Sequence, residues 1–212
     1  MIYQRYQNHL FWGSHAPLST LAGAGLLVMA SGRTAYALIA LGSLVWVYGL
    51  TVLVYCFAKP VFPKRGIQLA LVFLSTFFAS LYLLLLTLTS PFLAMETTLI
   101  ILLAPVSCIS SEVVFRLESL DPDEGLARAA LEALTLGGLI FALALIREPL
   151  GYGSLSLPGG RQGIIELFSG PDELFFPVRI IAAAAGALLL LGYGLAVFRY
   201  FRKLYTHTEE NP

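Results

Sequence analysis

The sequence predicts an all-α integral membrane protein with six transmembrane helices. They form two inverted three-helix repeats in which half-helices 1 and 4 are broken. Three observations lead there. The chain has 212 residues, 58% hydrophobic and only 12% charged, with a mean hydropathy of +0.80, whereas soluble domains run near about 25% charged. Its apolar residues gather into six blocks. The first and fourth blocks are shorter and more interrupted than the others. Irregular backbone at membrane depth survives only where protein or water satisfies it, so broken helices in matching places mark a site.

The N-terminal stretch, with Tyr3, Tyr6, Phe11 and Trp12, suits an interfacial segment and has no signal-peptide pattern, so none is expected to be cleaved. The first block, Pro17–Ser31, carries Gly23 and Gly25 and stops at Ser31-Gly32-Arg33. The second and third, Thr34–Phe57 and Ile67–Leu88, each supply the roughly 20 apolar residues that a spanning helix needs. The fourth, Thr97–Ser110, carries Pro105 and stops at Ser107-Cys108. The fifth and sixth, Leu126–Ile146 and Val178–Phe198, are again full length. Between them the Arg147–Pro177 loop holds Gly151, Gly153, Pro158, Gly159, Gly160, Gly170 and Pro171, a composition that predicts turns rather than a domain. The length is used up by helices and loops, so residues 1–212 read as one membrane domain with repeats at about 15–90 and 91–200.

Charge sets the orientation. With six spans both termini share a side, which holds Arg5, Lys59, Lys64, Arg65, Arg116, Arg128, Arg199, Arg202 and Lys203. The other side holds Arg33, Arg147, Arg161 and Arg179. Nine against four places both termini in the cytoplasm by the positive-inside rule. Blocks one and four then cross in opposite directions, with the repeats dividing near Ser90-Pro91. A zero formal net charge offers no basic surface for nucleic acid.

The middle of every block lacks an ionisable residue, and an ion-coupled transporter ordinarily keeps one at depth. Glu96 sits at the outer edge of block four. Arg128 with Glu132, and Glu112 with Arg116, have the i,i+4 spacing of interfacial ion pairs. Arg147 and Glu148 are expected to clamp the outer loop to the helix end. Small residues at Gly42, Gly49, Gly137, Gly138, Ala182–Gly186, Gly192 and Gly194 suit close helix approach, within the chain first and against a partner second. Of the two cysteines, Cys56 ends block two and Cys108 ends block four. A cysteine in an apolar segment is first a small hydrophobe. At the end of a broken helix, however, a thiolate can also ligate a soft metal or an iron–sulfur cluster.

One segment carries a resemblance. The run from Gly137 to Leu155, and within it Arg147-Glu148-Pro149-Leu150-Gly151-Tyr152-Gly153-Ser154-Leu155, resembles the fifth helix and following loop of one family. These are the paired six-helix membrane subunits of the Rnf and Na+-translocating NADH:quinone reductase (Nqr) complexes. The likeness is greater to the NqrD/RnfE branch of that family, whose termini are cytoplasmic. Leu103-Ala104-Pro105-Val106-Ser107-Cys108 resembles the family's fourth half-helix, which ends in a cysteine. The resemblance spans roughly residues 15–200 and is dense around Cys108 and Arg147–Leu155.

The resemblance implies a bacterial cytoplasmic (inner) membrane and a homologous six-helix partner of opposite topology, together with other subunits of such a complex. It also implies a [2Fe–2S] cluster shared between the pair, with Cys108 as this chain's ligand. The sequence departs from the family at two places. The first-helix cysteine has no counterpart, its position falling near Gly25 with no cysteine between Met1 and Tyr55, and Ser107 stands where the family commonly has Asn. Three arrangements accommodate this: a partner that supplies three ligands, a non-cysteine ligand, or a fold that has lost its cluster. The implied function is that of a membrane subunit of an ion-translocating NADH-linked oxidoreductase, helping to carry electrons across the membrane coupled to Na+ or H+ transport, with no complete catalytic site of its own. The alternatives are a structural subunit without redox chemistry and a stand-alone inverted-repeat transporter, whose solute would meet Ser31, Thr34, Ser107 and Ser110.

Overall fold

A computed structural model describes residues 24–58, 67–110, 122–159, 163–169 and 179–208. The N-terminal aromatic segment, the Lys59–Arg65 loop, the Glu112–Arg116 pair and Arg161 lie outside them. The chain is mostly helical: α1 (Ala24–Ala30), α2 (Thr34–Ala58), α3 (Ile67–Thr89), α4 (Pro91–Ser110), α5 (Pro122–Tyr152), a hairpin of β1 (Ser154–Pro158) and β2 (Ile164–Ser169), then α6 (Arg179–Ala182) and α7 (Ala184–Thr208). Among the described residues, four helices are long and apolar enough to cross a membrane, namely α2, α3, α4 and α5, and α7 adds the apolar stretch Ala184–Gly194. The protein is a multi-pass membrane protein.

The helix ends follow local chemistry. One residue, Ser90, separates α3 from α4, because Pro91 disfavours helical backbone before it and is itself pre-set for a first helical turn. At the start of α5, Pro122 is followed by Asp123 and Glu124, and carboxylates there meet the positive end of the helix dipole. Arg128 donates to Glu124 Oε1 at 2.6 Å, an i−4 partner on the opposite side from the Glu132 that the spacing also offers. The far end of α5 closes on Gly153, whose φ is 68° and whose N–H donates to the Pro149 carbonyl at 2.9 Å. That is a left-handed cap, for which glycine carries no Cβ penalty.

The most buried helix is α2, which packs against α1, α3, α4, α5 and β1. It runs antiparallel to α5: Gly137 faces Leu41 while Glu148, farther along α5, meets Thr34 at the start of α2. A Cβ on Gly137 would lie 2.9 Å from Leu41 Cγ and 3.2 Å from its Cα, so the missing side chain sets the helix separation. Against α3 the approach is made at Gly42, under the Tyr82 ring, whose hydroxyl donates to the Ile39 carbonyl at 3.4 Å. By contrast α3 and α4 turn Leu69, Phe73, Phe77, Leu88, Phe92, Met95 and Leu99 outward, a surface for lipid or another subunit.

Three features differ from the sequence expectation. Block four begins at Pro91 rather than Thr97 and runs unbroken through Pro105 to Ser110, so it is a full-length helix rather than a broken half-helix. Block six is the interrupted one, bending at Ala183 between α6 and α7. The outer loop is not turns alone. Its two strands pair antiparallel, Ser154 opposite Ser169 and Pro158 opposite Ile164, with a bulge between Leu155 and Ser156.

Candidate functional site at the broken helix ends

The breaks in the first and sixth blocks meet on one dipeptide of α5. Arg147 and Glu148 are 4% and 1% exposed, and each reaches a different kind of helix end. The Arg147 guanidinium donates through Nη1 to the Val28 carbonyl at 2.9 Å and to Ser31 Oγ at 3.0 Å, where α1 stops. Through Nε it donates to the Ile181 carbonyl at 3.0 Å, and through Nη2 to the Ala182 carbonyl at 2.6 Å, where α6 stops. Carbonyls at a helix C-terminus have no intrahelical partner and carry the negative end of the dipole. A planar, five-donor cation is the side chain that can satisfy several at once.

Glu148 does the converse. Its Oε2 accepts the Thr34 N–H at 2.7 Å and contacts Thr34 Oγ1 at 2.6 Å, at the N-terminus of α2. Thr34 Oγ1 also contacts the Ser156 carbonyl and accepts the Ser156 N–H at 3.2 Å, while Ser156 Oγ accepts the Ala35 N–H at 3.4 Å. The hairpin is thereby tied to the start of α2. The expected clamp between outer loop and helix end is present, and it extends further, to α1 and α6.

Glycines make room for this convergence. A Cβ on Gly151 would lie 3.0 Å from the backbone of Ala182, and one on Gly186 would overlap the Ile180 carbonyl oxygen. No side chain larger than hydrogen lets α6 and α7 fold back onto the end of α5. Beside the clamp, Arg33 lies over the Tyr152 ring at 5.9 Å, and the Tyr36 hydroxyl donates to Glu96 Oε2 at 2.9 Å.

Of the polar residues expected at the breaks, Ser31 and Thr34 converge on the clamp. Ser107 is buried on α4, and Ser110 there donates to the carbonyl of Val106 at 2.7 Å. Sequence reasoning missed Ser156, which alternation in Leu155-Ser156-Leu157 could have placed on a buried strand face.

Cys108 is fully buried in the core of the bundle, with Cys56 packed partly against the same core, and neither forms a disulfide. A [2Fe–2S] cluster needs about four ligands, and one shared between subunits needs its thiolate at their interface. Cys108 is walled in by its own chain, at 0% exposure. Among the described residues no three His, Cys, Asp or Glu side chains gather where a metal could sit. As placed, with Cys108 enclosed by its own chain, these residues do not fit a shared cluster.

No protein-family model matches this chain, and no curated protein sequence matches it either.

Proposed function

We propose that this chain is a membrane subunit of an ion-translocating, NADH-linked oxidoreductase assembly of the Rnf/Nqr kind. Its place is beside a homologous six-helix subunit of opposite topology in a bacterial cytoplasmic membrane, with both of its own termini cytoplasmic. The electron path and the movement of Na+ or H+ depend on the frame that it contributes, while the redox groups belong to its partners. The Arg147–Leu155 run supports the kinship, and the buried Cys108 favours a frame over an electron carrier.

One observation carries the choice between assembly subunit and stand-alone transporter. In a transporter built on broken helices, an anionic group of the solute sits at a helix N-terminus and a cation at helix C-termini. Here those positions are filled by the chain itself, Glu148 at the start of α2 and Arg147 at the ends of α1 and α6. The break is thereby locked rather than open to solute. Deleting the chain tests the reading. The expected result is that the assembly falls apart and NADH-driven ion uptake into membrane vesicles is lost. An intact assembly with full electron transfer overturns it.

A further inference from the structure

The end of the bundle that holds the helix breaks also carries two opposite charges that do not pair with each other. Arg33 precedes α2, and its guanidinium lies over the Tyr152 ring at 5.9 Å. Glu96 is exposed on α4 and accepts the Tyr36 hydroxyl at 2.9 Å. Both charges act on that hydroxyl, so the two are near neighbours. Among the described residues neither stands in an ion pair. A carboxylate offers about four acceptor sites and a guanidinium five donors, so most of the hydrogen-bonding capacity of both stays open.

The depth fits the polar layer of a bilayer. Glu96 is five residues past Pro91, about 7.5 Å along the helix, and that layer is about 5–8 Å deep on each face. The hairpin reaches the same level, since a Cβ on Gly163 would lie 3.7 Å from Phe92 Cβ. Alongside Glu96 runs an outward stripe of Phe92, Met95, Leu99, Leu102 and Val106, at the three- and four-residue spacing of one helix face. It is about 21 Å long, enough for an acyl chain that crosses half of a roughly 30 Å core.

We infer that Arg33, Glu96 and the α4 stripe bind a phospholipid with an ethanolamine headgroup: the phosphate on Arg33, the ammonium on Glu96, an acyl chain along the stripe. A guanidinium matches phosphate with paired donors, and an ammonium supplies the N–H groups that a carboxylate accepts. A choline headgroup has no N–H and favours an aromatic face, and the Tyr152 face is taken by Arg33. An anionic headgroup without an amine would set its charge beside Glu96 unmatched. The site rests on these groups alone, whatever assembly the chain joins.

Native mass spectrometry of the purified full-length chain tests this. It is given equal amounts of phosphatidylethanolamine, phosphatidylcholine and phosphatidylglycerol with the same acyl chains. Wild type should hold the ethanolamine lipid about two- to fivefold above each of the others, the range of an exposed charge pair. Glu96→Gln should abolish its advantage over phosphatidylglycerol, and Arg33→Gln should lower the binding of both. Thermal unfolding in detergent shows that each variant is folded, and Glu96→Gln, altered at an exposed position, decides should Arg33→Gln not be. Equal binding of the three lipids, or an ethanolamine preference that survives Glu96→Gln, overturns the inference. So does a photoreactive group at Met95 that cross-links in native membranes to protein and not to lipid.

Discussion

Among single residues, the structure turns on Arg147. Its guanidinium serves four oxygens from two helix ends, so Arg147→Ala leaves buried acceptors unpaired. Each such group costs about 1–3 kcal/mol, and we expect a total loss of about 3 kcal/mol or more, read as a lower unfolding temperature in lipid. Arg147→Lys keeps the charge but not the fork that spans α1 and α6, and should fall between wild type and the alanine variant. Thr34→Ala removes the hydroxyl that joins Glu148 to Ser156 and should cost about 1 kcal/mol. Cys108 makes the opposite prediction. Its side chain is fully buried in the core of its own chain, so Cys108→Ala should leave the iron content of whatever assembly co-purifies with the chain unchanged. A loss of iron in that variant contradicts the packing role.

Between elements, adjacent glycines of α5 separate close packing from open space. A Cβ at Gly137 meets Leu41 at 2.9 Å, whereas one at Gly138 meets nothing within 4 Å. Gly137→Ala should therefore push α2 from α5 and destabilise by about 1–3 kcal/mol, while Gly138→Ala should stay within about 0.5 kcal/mol of wild type. Thermal unfolding of the two variants side by side reads the difference. The elements also show what the sequence could and could not disclose. Helices α2, α3 and α5 are legible because an unbroken apolar run of spanning length has few other solutions. The start of α4 is not, because Pro91 opens the helix ahead of Glu96, and a charged residue imitates the edge of an apolar block. The bend at Ala183 falls in a run of alanines, and its one local mark, Gly186 three residues on, reads equally as a small residue for close helix packing. Arg147 and Glu148 are legible as a clamp, but their partners lie 34 to 119 residues away, separations that no local pattern encodes.

Across the whole molecule, the buried polar groups at the helix breaks face inward and engage one another, whereas α3 and α4 present large apolar side chains to the outside. The arrangement suits a subunit that is rigid where its helices break and meets lipid or protein along a hydrophobic flank. Among the described residues, Glu148 and Arg147 occupy the helix ends at the breaks, and the Cys108 side chain is buried. The positive-inside count makes a separate prediction. A reporter fused after Thr208 should be active only in its cytoplasmic form, and a labelling site placed in the hairpin should react from outside.

Whether the chain belongs to an assembly is decided by isolating it, tagged, from its own membrane in mild detergent and identifying its companions by mass spectrometry. The expected companions are a homologous six-helix subunit of opposite topology and flavin- or iron–sulfur-bearing subunits. Recovery of the chain alone, as a monomer or homodimer that moves a solute across vesicle membranes, contradicts the assembly reading.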